Sequence, residues 1–214
     1  MRLRKLEIAL QRLAGFSSPR AELEQYQTPA SLAARLLFDA YMKGDIEGKS
    51  VCDLGSGTGL LAIGATLLGA KIVTGVEIDQ KAVAVANKNA TLLNVDINFI
   101  VADVNDTTLK ERLGTFDTVI MNPPFGAQNA HADRPFIDLA LQIGKVTYGI
   151  FNVGSRQFIE TYILGRANIS QVIGGKLPIK RTFAFHTKDV QEIEVEILRL
   201  IQTKNAIQAA HKKS

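Results

Sequence analysis

From Ser50 onward the chain alternates short β-branched runs with longer stretches of helical period, and that alternation limits its fold more than any other feature. The short runs are Val51–Leu54, Lys71–Val76, Ile97–Val101, Phe116–Met121 and Lys145–Phe151. Between them the spacing predicts helices over 59–69, 79–94 and 134–143. Repeated βα units imply a parallel sheet, because each strand returns to the same edge through a helix that covers a face. After a further helical stretch, Arg156–Ala167, the runs Ser170–Lys180 and Val190–Ile201 follow without a helix between them. They are expected to pair as an antiparallel hairpin, and the alternation over Val190–Ile197 predicts one wet face. The expected fold is α/β: a seven-stranded, mostly parallel sheet with helices on both faces and a C-terminal antiparallel hairpin.

Two helices are expected ahead of the repeat. Leu3, Leu6, Leu10 and Leu13 form one apolar stripe, with Lys5 and Arg12 away from it. Ser17, Ser18 and Pro19 break that pattern, and Thr28 before Pro29 reads as an N-cap with proline at the first helical position of a helix running to about Lys43. With 214 residues, 46% apolar and 21% charged, the chain suits one globular domain, 1–214. Within it, 1–45 is a helical segment, 50–202 the α/β core and 203–214 a basic tail expected to be mobile. One cysteine, Cys52, and three histidines cannot build a disulfide framework or a structural zinc cage, so no metal is expected. The longest nearly uncharged apolar stretch, Gly59–Ala70, is too short to cross a bilayer, and the basic N-terminus lacks the apolar core of a signal peptide. A soluble cytoplasmic protein is the expectation.

Asp53-Leu54-Gly55-Ser56-Gly57-Thr58-Gly59 ends the first strand of the repeat and opens the next helix. Glycines at 55, 57 and 59 let backbone approach a ligand closely, and the free N–H groups of a helix N-terminus stand beside them. A nucleotide-like ligand fits this arrangement; the alternative is a tight strand–helix turn. The dinucleotide fingerprint is excluded because Leu60 stands where its third glycine is needed. Glu77 lies 22 residues after Gly55 at the end of the second strand, where a carboxylate can accept both hydroxyl hydrogens of a ribose. Asp103, after the third strand, reaches the same sheet edge and suits an adenine amino group, or else caps its own loop. Gly48-Lys49-Ser50 is not a P-loop, since Lys43 replaces the leading glycine and a strand follows rather than precedes it.

Asn122-Pro123-Pro124-Phe125 follows the fourth strand, at the same edge as the glycine loop. The prolines fix the backbone and remove two N–H donors, which leaves a rigid site rich in acceptors. An exocyclic amine such as adenine N6 is a weak nucleophile, because its lone pair is delocalised into the ring. If the Asn122 side-chain oxygen and the Pro123 carbonyl each accept one of its hydrogens, the lone pair is aimed at an electrophile and the developing positive charge is stabilised. Phe125 would stack on the base, and no dedicated general base is needed.

These features resemble the class I S-adenosylmethionine-dependent methyltransferases, whose core is Rossmann-like, and more narrowly the methyltransferase-like-five type of small-subunit ribosomal RNA N6-adenosine methyltransferase. The resemblance runs through Leu23–Pro29, Asp53–Gly59, Gly75–Asp79, Asp117–Gly126, Phe185-His186 and Ile193–Val195, nearly the whole chain. It implies S-adenosyl-L-methionine as cofactor, with Gln25 and Thr28 closing over its methionine part. Asp53, Gly55, Gly57, Thr58, Gly59 and Leu60 would form the surrounding loop, with Glu77 on ribose and Asp103 on the adenine ring. Asn122, Pro123, Pro124 and Phe125 become the catalytic turn, and Phe185 is placed near the target base. Thr58 stands where eukaryotic members commonly have cysteine, and Glu77 where they usually have aspartate; both keep the needed size or acceptor chemistry.

The implied substrate is RNA. Arg2, Arg4, Lys5, Arg12 and Arg20, the hairpin residues Lys176, Lys180, Arg181 and Lys188, and the tail residues Lys204, Lys212 and Lys213 can neutralise phosphates, although a net charge of +4 also fits ordinary solvated charge. The polar stretch 126–133 is expected to act as a lid, with His131 a loop residue. Strand 97–101 is expected at a sheet edge, where the resemblance implies a small zinc-binding activator subunit. Alternative acceptors are guanine N2 in RNA and the glutamine side-chain amide of a protein; the non-enzymatic alternative is an RNA-binding scaffold that keeps the fold without catalysis.

Overall fold

The computed structural model describes residues 1–126, 131–180 and 190–203, with backbone alone at 178–180, 190 and 191. Helix α1 (Leu3–Gln11) and helix α2 (Ala30–Met42) precede strand β1 (Ser50–Leu54), helix α3 (Leu60–Leu67), strand β2 (Ile72–Glu77), helix α4 (Gln80–Leu92) and strand β3 (Asn98–Val101). Helix α5 (Leu109–Leu113), strand β4 (Phe116–Met121), helix α6 (Arg134–Ile143), strand β5 (Gly144–Asn152), helix α7 (Arg156–Tyr162), and strands β6 (Ala167–Lys180) and β7 (Val190–Gln202) complete it. The seven strands lie in the order β3-β2-β1-β4-β5-β7-β6. The first five are parallel, whereas β7 runs antiparallel between β5 and β6. The expected fold class is therefore the observed one.

Successive strand residues feed two separate apolar layers, as the period of a strand requires. Val51 and Ile120 join α1, α2 and α3 on one face. Cys52, Leu54, Val119 and Met121 join residues of α5, α6 and α7 on the other. In β7, Val195 and Ile197 belong to the first layer, and Leu198 and Leu200 to the second. The wet face predicted for this strand is thus confined to its start, where Glu192 and Glu194 are exposed. The stripe of α1 buries Leu6 and Leu10 against α2 and α3. Gly64 makes that approach feasible, because a side chain there would run into Leu37.

Two local expectations are corrected, and one short helix has no counterpart in the sequence reading. Pro29, not Thr28, is the N-cap of α2, and it has no side-chain cap bond. The Thr28 hydroxyl is engaged elsewhere, accepting from Asn122 Nδ2 at 2.9 Å. The helix expected to reach Ala167 stops at Tyr162, because Gly165 takes a left-handed backbone (φ 79°) and Ala167 already begins β6. Helix α5, five residues long, is too short to reveal a period in the sequence. Phe183, Phe185, His186, Arg181, Lys188 and the tail lysines lie outside the described residues, as do the side chain of Lys180 and the 127–130 part of the expected lid.

Candidate functional site

At the carboxyl ends of the parallel strands lies a cleft of about 420 Å³, within the range of small-molecule sites. Gly55, Gly57, Glu77, Asp103, Gln25, Asn122 and Pro124 all line it. A smaller adjoining cavity is bounded by Thr28, Gly55, Gly57, Thr58, Leu60 and Asn122. Of the fourteen described residues proposed from the sequence as catalytic or cofactor-binding, ten line one of these two spaces, and Asp53, Gly59, Pro123 and Phe125 line neither.

Asp53 is wholly buried behind the glycine loop. Its Oδ2 accepts the Ala62 N–H at 2.9 Å, so a strand carboxylate caps the third residue of α3 from a distance. Burial pushes its pKa up to about 8, against the opposing Ala62 hydrogen bond and with the help of the Glu77 charge. Gly59 is the N-cap of α3 in the left-handed region, φ 84°. A Cβ on it would meet the Phe99 ring at 2.9 Å and Ala86 at 3.1 Å, so it brings the loop down onto α4 and β3. Both residues shape the loop from behind, and neither lines either cavity. Pro123 is buried, and the half-buried Phe125 ring packs beside the first apolar layer.

Glu77 is 7% exposed, and both its oxygens are engaged: Oε2 accepts the Gly57 N–H and Oε1 the Asp79 N–H, each at 2.9 Å. Burial raises its pKa, while those two backbone donors work to lower it. A carboxylate has about four acceptor positions, so two backbone bonds leave it lone pairs for a diol at the cleft wall. Asp103 is exposed; its Oδ1 accepts from the backbone N and the Nδ2 of Asn105, both at 2.8 Å. It therefore caps its own loop while lining the cleft, so the two readings of this residue are compatible.

The N-terminal segment between α1 and α2 closes the site. The Phe16 ring lies 2.9 Å from where a Gly57 Cβ would stand. Gln25 Oε1 accepts the Arg20 N–H at 2.8 Å, and Gln25 Nε2 donates to Asp79 Oδ2 at 3.0 Å. Glu24 Oε2 accepts the Phe125 N–H at 2.7 Å. Asn89 on α4 ties the base of this segment to the glycine loop: its Oδ1 accepts the Ala14 N–H, and its Nδ2 donates to the carbonyls of Ala14 and Thr58, all at 2.9 Å. Sequence reasoning missed Phe16, Glu24, Asn89 and the cleft-lining Ile78 and Phe136. A signal for Asn89 was present, since it shares the buried stripe of α4 with Ala82, Val83, Ala86 and Ala90. A buried amide on an apolar stripe must find partners.

Asn122 completes the geometry. Its Nδ2 donates to Thr28, and its Oδ1 is buried without a hydrogen-bond partner. A mostly parallel sheet with its last strand inserted antiparallel, a glycine loop after β1 and an acid after β2 define the class I methyltransferase fold. The described residues suit the cofactor of that class: the cleft has the size, Glu77 the spare acceptor positions and the glycine loop the close backbone.

Comparison with known proteins agrees. Residues 30–144 match the methyltransferase small domain family. The uncharacterized protein MJ0284 of Methanocaldococcus jannaschii is 41% identical over 203 residues, covering 91% of this chain and 92% of that one. The rRNA N(6)-adenosine-methyltransferase Mettl5 of Drosophila melanogaster is 36% identical, covering 93% and 96%. The solved structure of PH1948 from Pyrococcus horikoshii superposes with a TM-score of 0.87 at 42% identity, covering 95% of this chain and 98% of that one. The chain belongs to the S-adenosyl-L-methionine-dependent methyltransferases, in the family that includes the Drosophila enzyme.

Proposed function

We propose that the protein methylates N6 of an adenosine in RNA, and that the RNA is that of the small ribosomal subunit. The observation that carries this reading is the Asn122 amide, whose nitrogen donates to Thr28 while its oxygen is left as an unanswered buried acceptor. A buried acceptor without a partner is costly, about 1–3 kcal/mol, so one at a cleft wall points to a donor on the substrate. An exocyclic amino group has the two hydrogens that Asn122 Oδ1 and the Pro123 carbonyl would take. Held so, its lone pair is directed out of the base plane, and the positive charge that builds on nitrogen faces two oxygens. Bound S-adenosylmethionine supplies the electrophilic methyl group. Gln25, Thr28, Gly55, Gly57, Thr58 and Leu60 would orient its methionine end, Glu77 its ribose and Asp103 its adenine, while Asp53 and Gly59 hold the loop in shape. Phe125 would stack on the extruded base, at about 1–3 kcal/mol, comparable with the few kcal/mol that extrusion needs.

The Drosophila relative's stated activity on ribosomal RNA supports the choice of acceptor. Exposed Arg2, Arg4, Lys5 and Arg12 give α1 and its end a basic surface suited to phosphate. Strand β3, bonded on one side only among the described residues, offers the edge on which this reading seats a small zinc-binding activator subunit. Among the described residues no helix is long and apolar enough to cross a membrane, and the reading keeps the cytoplasm as the place of action. The test is mass spectrometry of nucleosides from small-subunit ribosomal RNA of cells with and without this protein, together with methyl transfer to that RNA in vitro. Loss of N6-methyladenosine is expected; label on guanosine or on protein would reject the acceptor.

A further inference from the structure

We infer that Glu24 is a positioning residue for the Asn122–Phe125 turn, setting the direction of the carbonyl that works beside Asn122. The inference deepens the methyl-transfer reading and rests on it for its kinetic arm. Pro123 and Pro124 contribute no N–H, so the Phe125 N–H is the one backbone donor that follows Asn122 within the turn. Glu24 takes it, through Oε2 at 2.7 Å, from a residue that is itself 8% exposed. An N–H and the carbonyl of the same peptide unit point in opposite directions, so fixing the Phe125 N–H fixes the Pro124 carbonyl. The Pro124 ring holds φ near −65°, so the Pro123 carbonyl is tied to that plane through one remaining torsion, ψ of Pro124. This hydrogen bond therefore fixes the far end of the acceptor turn and narrows the direction open to the Pro123 carbonyl.

The backbone at Glu24 supports a role beyond packing. Glu24 sits directly after the 3-10 turn Ala21–Leu23 in the left-handed region, φ 48° and ψ 44°, where residues other than glycine are uncommon. Its neighbours fix it there: the Glu24 N–H donates to Ala21 O at 2.9 Å, and the Tyr26 N–H donates to Glu24 O at 2.8 Å. Four residues on, Thr28 receives Asn122 Nδ2. The same short segment thus grips the turn at both ends, while Gln25 between them reaches Asp79 on the cofactor side of the cleft. Strained backbone held by surrounding bonds is a mark of a preorganised site.

Two variants separate acceptor geometry from charge. Glu24→Ala removes the acceptor; Glu24→Gln keeps an oxygen for the Phe125 N–H and loses the charge. With ribosomal RNA from cells lacking the protein as substrate, Glu24→Ala should lower kcat about 10- to 100-fold, the range expected when a reacting group shifts by on the order of 1 Å. The KM for RNA and the calorimetric affinity for S-adenosylmethionine should stay within about threefold. Glu24→Gln should recover kcat to within about fivefold of wild type. The second readout needs no RNA: the Phe125 amide should exchange with deuterium at least about tenfold faster in Glu24→Ala, and near the wild-type rate in Glu24→Gln. If Glu24→Ala fails to fold, Glu24→Leu, which keeps most of the volume and has no acceptor, replaces it. An unchanged Phe125 exchange rate in the acceptor-less variant, a Gln variant as slow as Ala, or cofactor affinity falling in step with kcat would each overturn the assignment. A wild-type protein inactive on ribosomal RNA would sink the functional reading, and the exchange measurement would still decide the role of Glu24.

Discussion

Asn89→Ala should cost the fold about 3 kcal/mol, although the residue touches neither cavity. The side chain is 2% exposed and makes three hydrogen bonds at 2.9 Å. Two go to the backbone of Ala14, which is exposed and can be rehydrated once the amide is gone, so each is worth about 0.5–1 kcal/mol. The third goes to the Thr58 carbonyl in a fully buried setting. There the net bond, about 1 kcal/mol, adds to about 1 kcal/mol or more for an acceptor stranded away from water. Urea unfolding monitored by circular dichroism should show the midpoint falling by roughly 1 M at an unchanged slope of about 3 kcal/mol/M. Asn89→Asp should be worse than alanine: it keeps the Ala14 N–H bond but turns a buried anion toward two carbonyl oxygens. A loss below about 1 kcal/mol for alanine, or an aspartate variant more stable than the alanine one, would refute the accounting.

Three further outcomes follow. Asn122→Ala should lower turnover about 10²-fold or more with S-adenosylmethionine affinity nearly unchanged by calorimetry; near-normal turnover would remove Asn122 from the proposed role. Glu77→Ala frees the Gly57 and Asp79 N–H groups and removes the proposed ribose acceptor. At about 1.5–3 kcal/mol for a bond to a charged acceptor, it should weaken cofactor binding roughly 10- to 150-fold, and an unchanged affinity would dismiss the ribose assignment. Asp117 is held down to about 2 by the side-chain bond from Lys145 and then by Ser50. A depressed carboxylate stabilises the fold above its unfolded pKa of about 4, and that stability is lost as pH falls through 2. Because its side chain is 33% exposed, about 1 kcal/mol is expected after screening. Asp117→Asn should show that deficit at pH 7 and converge with wild type toward pH 2 in thermal melts; a deficit independent of pH would reject the ionic cause.

The parts of the fold legible in the sequence are those with long periods. Strands carrying apolar side chains to both faces, such as Val51–Leu54 and Phe116–Met121, stand out as short, mostly apolar runs, and α4 and α6 are long enough, at 13 and 10 residues, to repeat their period. The five residues of α5 do not complete two turns, so periodicity had nothing to act on. At α2, Thr28 and Pro29 carry a capping pattern, yet the hydroxyl bonds Asn122, 94 positions away, and a distant partner overrides the local preference. The site divides in the same manner. The glycine loop and the Asn122 turn are runs of consecutive residues at strand ends, visible as motifs. Glu24, Asn89 and Phe16 act only through residues that the sheet brings near them, such as Phe125, Thr58 and Gly57. No spacing rule reports such partnerships; a polar residue on an apolar stripe is the nearest hint.

The placement of β7 bears on how the chain survives its own synthesis. Residues Val195–Ile201 fill the slot between β5 and β6, pairing with Val146–Asn152 on one side and with Asn168–Gly175 on the other. A nascent chain that has already made β5 therefore carries an unpaired, apolar strand edge, including Ile150 and Phe151, until some fifty further residues have emerged. Such an edge is a template for wrong partners. Polypeptides cut short before Val195 should accumulate as aggregates, whereas a chain that extends through β7 seals its own seam.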